Sequence, residues 1–341
     1  MKKVLVTGGA GYIGSHTSLE LMAAGYLPVV VDNFCASDRR MLLRMRELAP
    51  GDFPVHELDC RDEAALAAVF RDEGPIFGVI HFAAHKSVGV SVKQPREYYA
   101  NNLGSLTALL GVMERAGVER LVFSSSCTVY GQPDQLPVTE ASPLKRPESP
   151  YGRTKQMCEA ILNDVVASGA GLRAVTLRYF NPVGAHPSGL IGELPLGKPE
   201  TLVPYITQSA AGLRDELTVF GSDYPTRDGT CVRDYIHILD LAAAHVAAFA
   251  WLERQPVGAM NEVFNIGAGQ GVSVLEAIHA FEAASGTTLR YRLGPRRPGD
   301  AVEVYAGVEK ANRELGWSAR LGILDAMRDA WRWQQNIKSG W

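Results

Sequence analysis

The sequence has few of the features that mark membrane-spanning or secreted proteins. Its longest apolar run, residues 246–252, is far too short to cross a bilayer. The apolar residues 4–6 stop at Thr7, so the apolar core of a signal peptide is lacking. The chain has no Asn-x-Ser/Thr sequon, and its five cysteines are scattered without a Cys-x-x-Cys pair. Reduced thiols in a reducing compartment fit this set, and we expect a cytoplasmic protein.

The chain is nearly balanced in charge. Lys and Arg number 34 against 37 Asp and Glu, and no basic block occurs, so nucleic acid is not an expected partner. Apolar residues make up 46% of the chain, which excludes a disordered protein. At roughly 150 residues per domain, the length of 341 corresponds to about two domains or one large α/β unit.

Short β-rich runs alternate with segments of helical spacing over residues 1–180. This alternation predicts an α/β fold, a Rossmann-type doubly wound parallel sheet with helices on both faces. The predicted strands are residues 4–7, 28–31, 54–58, 79–82, 120–124 and 174–177. The predicted helices are residues 13–22, 38–48, 63–70, 95–116 and 151–166.

The alternation loosens after residue 180, where a loop rich in proline and glycine spans 181–200. We expect a smaller α/β lobe made of residues 181–235 and 269–341, with 236–268 returning to the first domain. Its predicted elements, with those of the returning segment, are helices 203–212, 238–253, 273–284 and 323–336 and strands 217–220, 263–266 and 289–293.

A glycine motif follows the first predicted strand and opens a helix. Gly8 and Gly11 allow a tight turn close to a diphosphate, and Gly14 lets the helix pack on its strand. A purely structural turn would give the same letters, but an acid, Asp32, ends the second predicted strand. A carboxylate there accepts from ribose hydroxyls and repels a 2′-phosphate, which favours NAD over NADP. Asp59, after the third strand, is a candidate for the adenine edge.

A tyrosine and a lysine four residues apart, Tyr151 and Lys155, lie on one face of a predicted helix. A phenol titrates near 10, so a tyrosine base needs its phenolate stabilised. A nearby ammonium and a positive nicotinamide can do this. The pair alone is commonly a solvated helix face, but here it follows a strand that ends in residues 124–126, three serines. A hydroxyl from that strand end can bridge the tyrosine and a substrate alcohol.

With these motifs in place, the chain resembles the UDP-glucose (UDP-galactose) 4-epimerases of the extended short-chain dehydrogenase/reductase family, nearly from end to end. The segments that carry the resemblance are TGGAGYIGSH (7–16), DNF (32–34), HFAA (81–84) with Lys86, FSSSCTVYG (123–131), SPYGRTK (149–155), RYFNPVGAHPSG (178–189), FGSDYPTRDGTCVRDYIHILDLA (220–242), FNIGAG (264–269) and PRRPGD (295–300).

The resemblance implies an enzyme that interconverts UDP-galactose and UDP-glucose with tightly bound NAD. Tyr151 would take the proton of the sugar 4-hydroxyl, Lys155 would hold the nicotinamide ribose, and Ser126 would relay a hydrogen bond. Carbon 4 would lose its hydride to give a 4-keto sugar. This sugar would rotate about its diphosphate link and regain the hydride on the other face. The first domain would then bind NAD and the second lobe the UDP-sugar. A homodimer built from helices such as 95–116 and the Tyr151 helix is also implied.

The resemblance also implies the residues that contact each ligand. Those for NAD are Gly8, Gly11, Tyr12, Ile13, Gly14, Asp32, Asn33, Ser37, Asp59, Cys60, Phe82, Ala83, Ala84, Lys86, Asn101, Ser124, Tyr151, Lys155 and Tyr179. Those for the UDP-sugar are Lys86, Ser126, Thr128, Tyr151, Phe180, Asn181, Thr201, Leu202, Leu217, Val219, Phe220, Arg233, Tyr235, Arg297, Asp300 and Val304. Arg233 and Arg297 suit a diphosphate, which a guanidinium binds in bidentate fashion.

Two places depart from the family pattern, and a third bears on which sugar is accepted. Thr201 stands where an asparagine is common, and the Ala84-His85 pair replaces a glycine and an apolar residue. Val304 stands where the family varies between a bulky aromatic and a small residue against the sugar. We therefore expect room for a 2-acetamido group and turnover of UDP-GalNAc and UDP-GlcNAc as well.

Other interpretations of single motifs are weaker. His81 and His85 have the spacing of a helical metal pair, but they span a strand end without an acidic partner, so core packing or local hydrogen bonding is expected and no metal. The segment 192–199 nearly spells a phosphate-binding loop, but proline replaces the required Ser/Thr.

Two rival functions share the scaffold. A nucleotide-sugar 4,6-dehydratase needs an additional acid and base, which that group carries as an Asp-Glu pair, whereas Cys127 and Thr128 stand here. An NAD-binding regulator with a dead site is expected to lose Tyr151 or Lys155, and both are present.

Overall fold

The computed structural model describes residues 1–297 and 300–341; Pro298 and Gly299, in the PRRPGD segment, lie outside the described residues. The strands are β1 (Lys2–Thr7), β2 (Tyr26–Asp32), β3 (Val55–Glu57), β4 (Ile76–His81), β5 (Arg120–Ser124), β6 (Arg173–Tyr179), β7 (Asn181–Val183), β8 (Leu217–Phe220), β9 (Val232–His237), β10 (Met260–Ile266), β11 (Gly271–Ser273), β12 (Tyr291–Gly294) and β13 (Glu303–Val304). The helices are α1 (Tyr12–Ala23), α2 (Arg40–Leu48), α3 (Glu63–Glu73), α4 (Val88–Lys93), α5 (Pro95–Ala116), α6 (Pro150–Ala167), α7 (Leu202–Ala210), α8 (Ile238–Arg254), α9 (Val274–Ser285), α10 (Glu309–Leu315) and α11 (Ile323–Lys338), with a 3-10 turn at Cys127–Tyr130.

Seven strands form a central parallel sheet in the order β10-β6-β5-β4-β1-β2-β3. This arrangement confirms the predicted doubly wound α/β fold. The chain winds outward from β1 in one direction through β2 and β3 and in the other through β4, β5 and β6. The strand order therefore reverses between β1 and β4, and in such sheets the crevice at the carboxyl ends of these strands is where a ligand binds.

Successive side chains of β1 serve opposite faces of the sheet, as the pleat of a strand requires. Val4 and Val6 are buried with Leu21 of α1 and with the apolar residues of α8. Leu5 is buried on the other face with residues of α3, α5 and α6, among them Leu106. Helices on both faces thus cover the sheet, which explains why its strands read as continuous apolar runs.

A second set of strands lies beyond the central sheet. β9 pairs in parallel with β7 and β13 and antiparallel with β11, and β8 pairs with β12. Helices α7, α9 and α11 bury their apolar residues together with these strands. β10 lies apart from them and pairs with β6 in the central sheet. The residue boundaries given above for the two units stay a prediction.

The sequence did not predict β9, which becomes the central strand of this second set. The strand contains Arg233 and Asp234, and a charged pair locally argues against a buried strand. The structure shows why it is tolerated: Asp234 is fully buried and accepts hydrogen bonds from the backbone N–H groups of Ala268, Gly269 and Ala306 at 2.7–3.1 Å. These donors come from distant segments, which no local pattern reveals.

Some smaller predictions were wrong at element boundaries. Residues 181–183, expected within a loop, form β7, and the last predicted strand begins at Tyr291 rather than at 289. The short elements α4, α10, β11 and β13 were not predicted. Among the described helices, none combines the length and apolarity that crossing a bilayer requires.

Candidate active site

The glycine motif forms a tight turn between β1 and α1. Gly8 has a φ of +69°, a conformation that side chains disfavour, and a Cβ placed on Gly14 would lie 2.2 Å from the Gly8 carbonyl oxygen. Gly11 is the N-cap of α1 and supplies no side-chain capping bond. The first N–H groups of α1 are therefore left for an acceptor outside the helix, and this cradle fits the diphosphate of NAD.

Asp32, at the end of β2, is buried beside this turn. One of its oxygens accepts from the backbone N–H of Ala10 at 3.0 Å. The other accepts from the backbone N–H of Phe34 and from the Ser37 hydroxyl, each at 2.9 Å. Phe34 has a φ of +56°, which turns the chain sharply after the strand. The carboxylate is thus held in one orientation next to the glycines, where a ribose would lie.

Asn33, Asp59 and Cys60 gather beside Asp32. The Asn33 amide lies 3.4 Å from an Asp59 oxygen. A hydrogen-bonded ion pair with Arg61, 2.7 Å away, lowers the pKa of Asp59 to about 2. Burial raises the pKa of the Cys60 thiol to about 12, so this cysteine is a neutral packing residue. These predicted NAD contacts, including Asp59 as the candidate for the adenine edge, therefore lie together.

His81 ends β4, and the residues that follow it, Phe82 and Ala83, lie next to the glycine turn. The backbone N–H of Phe82 donates to the Thr7 carbonyl at 3.0 Å, and a Cβ on Gly8 would lie 2.9 Å from the Ala83 nitrogen. His81 is buried and shares a hydrogen bond of 2.7 Å with the Thr7 hydroxyl, as the local hydrogen-bonding interpretation predicts. Within residues 1–297 and 300–341, no group of three or more side chains is arranged to hold a metal.

Asn102 explains how the corner at His85 is held. Its side chain accepts from the His85 N–H at 2.8 Å and donates to the His85 carbonyl at 3.1 Å. It also donates to the Thr154 hydroxyl on α6 at 3.0 Å, and Asn101 donates to it at 3.0 Å. The backbone beside the predicted nicotinamide site is thus clamped to α5 and α6.

The predicted catalytic residues lie together at the carboxyl end of β5. Ser149 caps α6 by accepting from the Gly152 N–H at 3.2 Å, which places Tyr151 in the first turn. One turn later, the Lys155 ammonium donates to the Ser124 carbonyl at 2.7 Å. It lies 6.0 Å from the centroid of the Tyr151 ring.

Two further hydroxyls complete this cluster. The Ser124 hydroxyl donates to the phenol oxygen of Tyr179 at 3.0 Å. The Ser126 hydroxyl oxygen accepts from the backbone N–H of Thr128 at 3.2 Å and from the Thr128 hydroxyl at 3.0 Å. Ser126 is thereby oriented with its own proton available to another acceptor.

Burial dominates the electrostatics of this cluster. It raises the pKa of Tyr151 well above 10, with Tyr179 adding to the rise and a hydrogen bond with Ser126 opposing it. It also lowers the pKa of the Lys155 ammonium to about 8. Both charged forms are therefore disfavoured by the protein alone, and a phenolate here requires additional positive charge in the site.

The lowered pKa of Lys155 predicts that the stability of the protein depends on pH. Between pH 8 and pH 10.5 the folded protein has released the Lys155 proton while the unfolded chain still binds it, so the unfolding free energy rises with pH. We expect wild type to gain up to about 3 kcal/mol relative to Lys155→Met across this window. Urea unfolding of both proteins without added NAD, at one-unit steps of pH, measures the difference. A flat difference would contradict a buried ammonium.

The predicted UDP-sugar residues converge on the edge where β6 ends. Phe180 is buried directly after β6, and Asn181 pairs with Tyr235 in the β7–β9 ladder. Arg233, two residues earlier in β9, pairs with Val304 of β13.

An acid joins the two arginines of this edge. The carboxylate of Asp300 lies 3.7 Å from the Arg233 guanidinium and 2.8 Å from that of Arg297. Two guanidinium groups are therefore held close together, in the arrangement that a diphosphate would need.

Other predicted contacts differ in what they offer a ligand. The side chains of Leu217 and Val219 are buried in the core of the second strand set, so only their backbone can face a ligand. Phe220 is 44% exposed, and the Arg297 guanidinium lies 5.8 Å from its ring centroid. Thr201 is the N-cap of α7, yet its hydroxyl donates to Glu193 at 3.3 Å instead of capping the helix.

The sequence did not single out Glu193 or Asn102. Glu193 lies in a loop without regular spacing, so no motif marks it. Asn102 stands beside Asn101 on an otherwise apolar face of α5, and two adjacent asparagines on a buried helix face were the available signal.

Comparison with known proteins adds a family and close relatives. The model of the NAD dependent epimerase/dehydratase family matches residues 4–267. The protein "UDP-glucose 4-epimerase 2" of Arabidopsis thaliana is 51% identical over 343 residues, covering 100% of this chain and 97% of that protein. The UDP-glucose 4-epimerase of Homo sapiens is 48% identical, covering 99% of this chain and 98% of that protein.

Solved structures of UDP-glucose 4-epimerases are also similar to this chain. The UDP-glucose 4-epimerase of Stenotrophomonas maltophila, with bound NAD and formylated UDP-arabinopyranose, superimposes with a TM-score of 0.96 at 49% identity, covering 100% of both chains. The enzyme of Bifidobacterium longum, in complex with NAD+ and UDP, gives a TM-score of 0.94 at 46% identity, again over 100% of both chains.

Proposed function

This chain belongs to the NAD dependent epimerase/dehydratase family, and we propose that it interconverts UDP-galactose and UDP-glucose by inverting carbon 4 of the sugar, with NAD as its cofactor. One observation carries the proposal. The cluster of Tyr151, Ser126 and Lys155 lies at the same sheet edge as the glycine turn and the Asp32 carboxylate, with the Arg233–Asp300 pair across the crevice.

The residues of the chain then have separate tasks. NAD, when bound, supplies the reversible oxidation of carbon 4. Tyr151 accepts the proton of the 4-hydroxyl and later returns it, which is general acid–base catalysis by a group within hydrogen-bonding reach. Lys155, fixed to the Ser124 carbonyl, adds the positive charge that favours the phenolate. Ser126, whose oxygen already accepts from Thr128, donates its proton toward the same substrate oxygen.

The second lobe holds the nucleotide. Arg233 and Arg297 provide forked donors for the diphosphate, and Asp300 keeps the two side chains in register. No reacting group comes from this side, so it determines which sugar nucleotide is bound rather than which bond changes. Phe220, exposed beside Arg297, offers an apolar surface to the base.

Proton NMR of UDP-galactose incubated with the purified protein in heavy water tests the proposal. With no cofactor added, we expect UDP-glucose to appear with protium kept at carbon 4, because the hydrogen removed from that carbon is returned to it. Unchanged substrate, even after NAD is supplied, would contradict the proposal and favour another nucleotide sugar or a regulator.

The structure also bears on the rival dehydratase. That reaction needs an acid at the position of Cys127. Burial raises the pKa of the Cys127 thiol to about 12, and Thr128 donates its hydroxyl proton to Ser126. Neither residue can protonate a leaving hydroxyl near neutral pH, which favours the epimerase.

We also propose that UDP-GalNAc and UDP-GlcNAc are substrates, because Val304 is small. Its side chain lies in a cluster with Phe180, Val129 and Tyr130, next to the arginine-bearing strand. We expect Val304→Tyr to lower UDP-GalNAc turnover at least about tenfold and UDP-galactose turnover no more than about threefold. Coupled assays with both substrates, with a melting curve as the folding control, measure the ratio. Wild type that turns over UDP-galactose but no UDP-GalNAc would sink the idea.

We further propose a homodimer formed through α5 and α6. These helices pack side by side, and a cleft of about 220 Å³ between them is lined by apolar residues such as Leu110, Met113, Ile161 and Val165. Light scattering should give twice the 37.0 kDa mass of the chain. A value of one chain mass at micromolar concentration would contradict the dimer.

We also propose that the chain divides into an NAD-binding domain and a UDP-sugar lobe. We further propose a cytoplasmic location, because the five cysteines are free.

A further inference from the structure

The segment between β7 and α7 packs through Ala185 and Ile191 against Met22 and Val30 of the first unit, and it is anchored at Glu193. A bridge pairs Ala185 with Gly192, and the indole N–H of Trp333 on α11 donates to the Glu193 carbonyl at 2.9 Å. A Cβ on Gly192 would lie 2.5 Å from the Trp333 ring, so only glycine fits there. The backbone of Glu193 therefore has a fixed place against α11.

The Glu193 carboxylate receives two donors, one from the loop after β4 and one from the start of α7. The Lys86 ammonium lies 2.9 Å from one oxygen, and the Thr201 hydroxyl donates to the other at 3.3 Å. The Glu193 side chain is only 13% exposed, whereas that of Lys86 is 66% exposed. A buried acid thus holds an ammonium that otherwise has ample freedom to move.

The two partners of Glu193 both lie at helix N-termini, Lys86 near that of α1 and Thr201 at that of α7. The Lys86 ammonium lies 6.0 Å from the centroid of the Tyr12 ring, at the N-terminus of α1. Glu193 is the largest cause of the raised pKa of Lys86, which keeps this group cationic. On the other side, Thr201 gives its hydroxyl to Glu193 and leaves α7 without a side-chain cap. The first N–H groups of α7 therefore stay free, as do those of α1.

A second contact repeats the connection nearby. The Ser87 hydroxyl donates to Glu200, and a Cβ on Gly89 would lie 3.5 Å from the same carboxylate. Consecutive residues 86 and 87 of the central-sheet side are thus tied to both ends of segment 193–200. Glu193 and Glu200 therefore fix the distance between the loop that contains Lys86 and the start of α7, and neither acid is among the residues proposed to react.

We propose that Glu193 is a positioning residue, whose carboxylate holds the Lys86 ammonium over the N-terminus of α1 and the uncapped N-terminus of α7 at one distance, so that cofactor and UDP-sugar are bound at matched positions. This inference rests on the proposed function. Without the carboxylate, the ammonium of the exposed Lys86 side chain moves into the solvent. The hydroxyl of Thr201 then turns back to cap α7. Both ligands then bind less tightly, while proton transfer at Tyr151 is unaffected.

Glu193→Gln tests the inference, with Glu253→Gln as the matched control. Glu253 also binds a lysine and a hydroxyl, those of Lys2 and Tyr26, each at 2.7 Å, and it lies on α8 at the other end of the sheet. We expect Glu193→Gln to raise KM for UDP-galactose about tenfold with kcat within about threefold, the scale of one partly exposed charge-assisted contact. We also expect it to lower the NAD retained per chain after gel filtration. Glu253→Gln should match wild type in all three quantities.

A cycle with Lys86→Met separates positioning from mere structural support. In the Lys86→Met background, Glu193→Gln should change KM and retained NAD by less than about twofold, because its partner is already gone. An undiminished effect in that background, an effect on kcat alone, or no effect in wild type would each overturn the inference. Lys86 is exposed, so its substitution leaves folding intact even if Glu193→Gln does not fold; Lys86→Met must then lower retained NAD by itself. Wild type that retains NAD but does not convert UDP-galactose would instead refute the proposed function. In that case the NAD retained by the single and double variants of Glu193 and Lys86 still tests the positioning role.

Discussion

Replacing Tyr151 by phenylalanine should reduce kcat for UDP-galactose about a thousandfold while leaving the protein folded and loaded with NAD. The substitution removes only the hydroxyl that we propose to exchange the proton, and general acid–base catalysis contributes about 10²–10⁴-fold. The aromatic ring stays in its buried place, so the folding free energy should change by no more than about 1.5 kcal/mol, the worth of one hydrogen bond. Conversion of saturating UDP-galactose followed by NMR measures kcat, and the NAD content and urea unfolding measure the cofactor loading and the folding free energy.

A matched substitution makes this result specific. Tyr26→Phe also removes a phenol hydroxyl, which donates to Glu253 at 2.7 Å far from the site, and kcat should stay within about twofold of wild type. Ser126→Ala should lower kcat by an intermediate factor, since it removes a hydrogen bond and not the base. Retention of a tenth of wild-type kcat by Tyr151→Phe would show that another group is the base.

The largest expected loss of stability comes from Glu159, which lies one turn after Lys155 on α6. Its carboxylate accepts from Arg178 at 2.6 Å and from the Ser125 hydroxyl at 2.5 Å, and both charged side chains are at least nine-tenths buried. Arg178 donates onward to the Tyr130 phenol at 3.0 Å. Glu159→Gln leaves the guanidinium buried without a counter-charge and should cost about 3–5 kcal/mol of unfolding free energy.

Urea unfolding measures this loss against Glu57→Gln. Glu57 pairs with Arg39 at the surface, where both side chains are more than half exposed, and its substitution should change the free energy by less than about 0.5 kcal/mol. Because Ser125 adjoins Ser126, Glu159→Gln should also lower kcat at temperatures where the variant is folded. Equal unfolding free energies of the two variants would mean that the buried ion pair of Glu159 and Arg178 contributes no net stability.

Particular residues show where the sequence sufficed. The alternation of apolar runs and helical segments predicted the strands of the parallel sheet, because each strand is covered on both faces and reads as an uninterrupted apolar run. Gly8, Gly14 and Asp32 were predicted as NAD contacts because a diphosphate turn and a ribose acceptor need these residue types at a fixed separation. Tyr151 and Lys155 were recognisable because one helical turn joins them.

Other features were invisible until the chain was folded. The pKa of Lys155 is lowered to about 8 by residues that bury it from several elements, and no spacing in the sequence announces that burial. Asp234 makes β9 acceptable only because backbone N–H groups from two distant segments reach it. The side chains of Leu217 and Val219 face a core, so the contacts with the UDP-sugar that the resemblance implies for these residues stay a prediction for their backbone.

The sequence by itself determined the fold class, and it predicted the cofactor turn and the side chains that we propose to react, because each depends on residues that are neighbours along the chain or repeat with the period of one element. Only the tertiary structure decided how Glu193 connects Lys86 with Thr201, residues 107 and 8 positions away from it. Contacts of that kind depend on how strands order themselves and where loops return. Burial and distance across lobes are properties of the assembled chain, and they set which acid meets which ammonium.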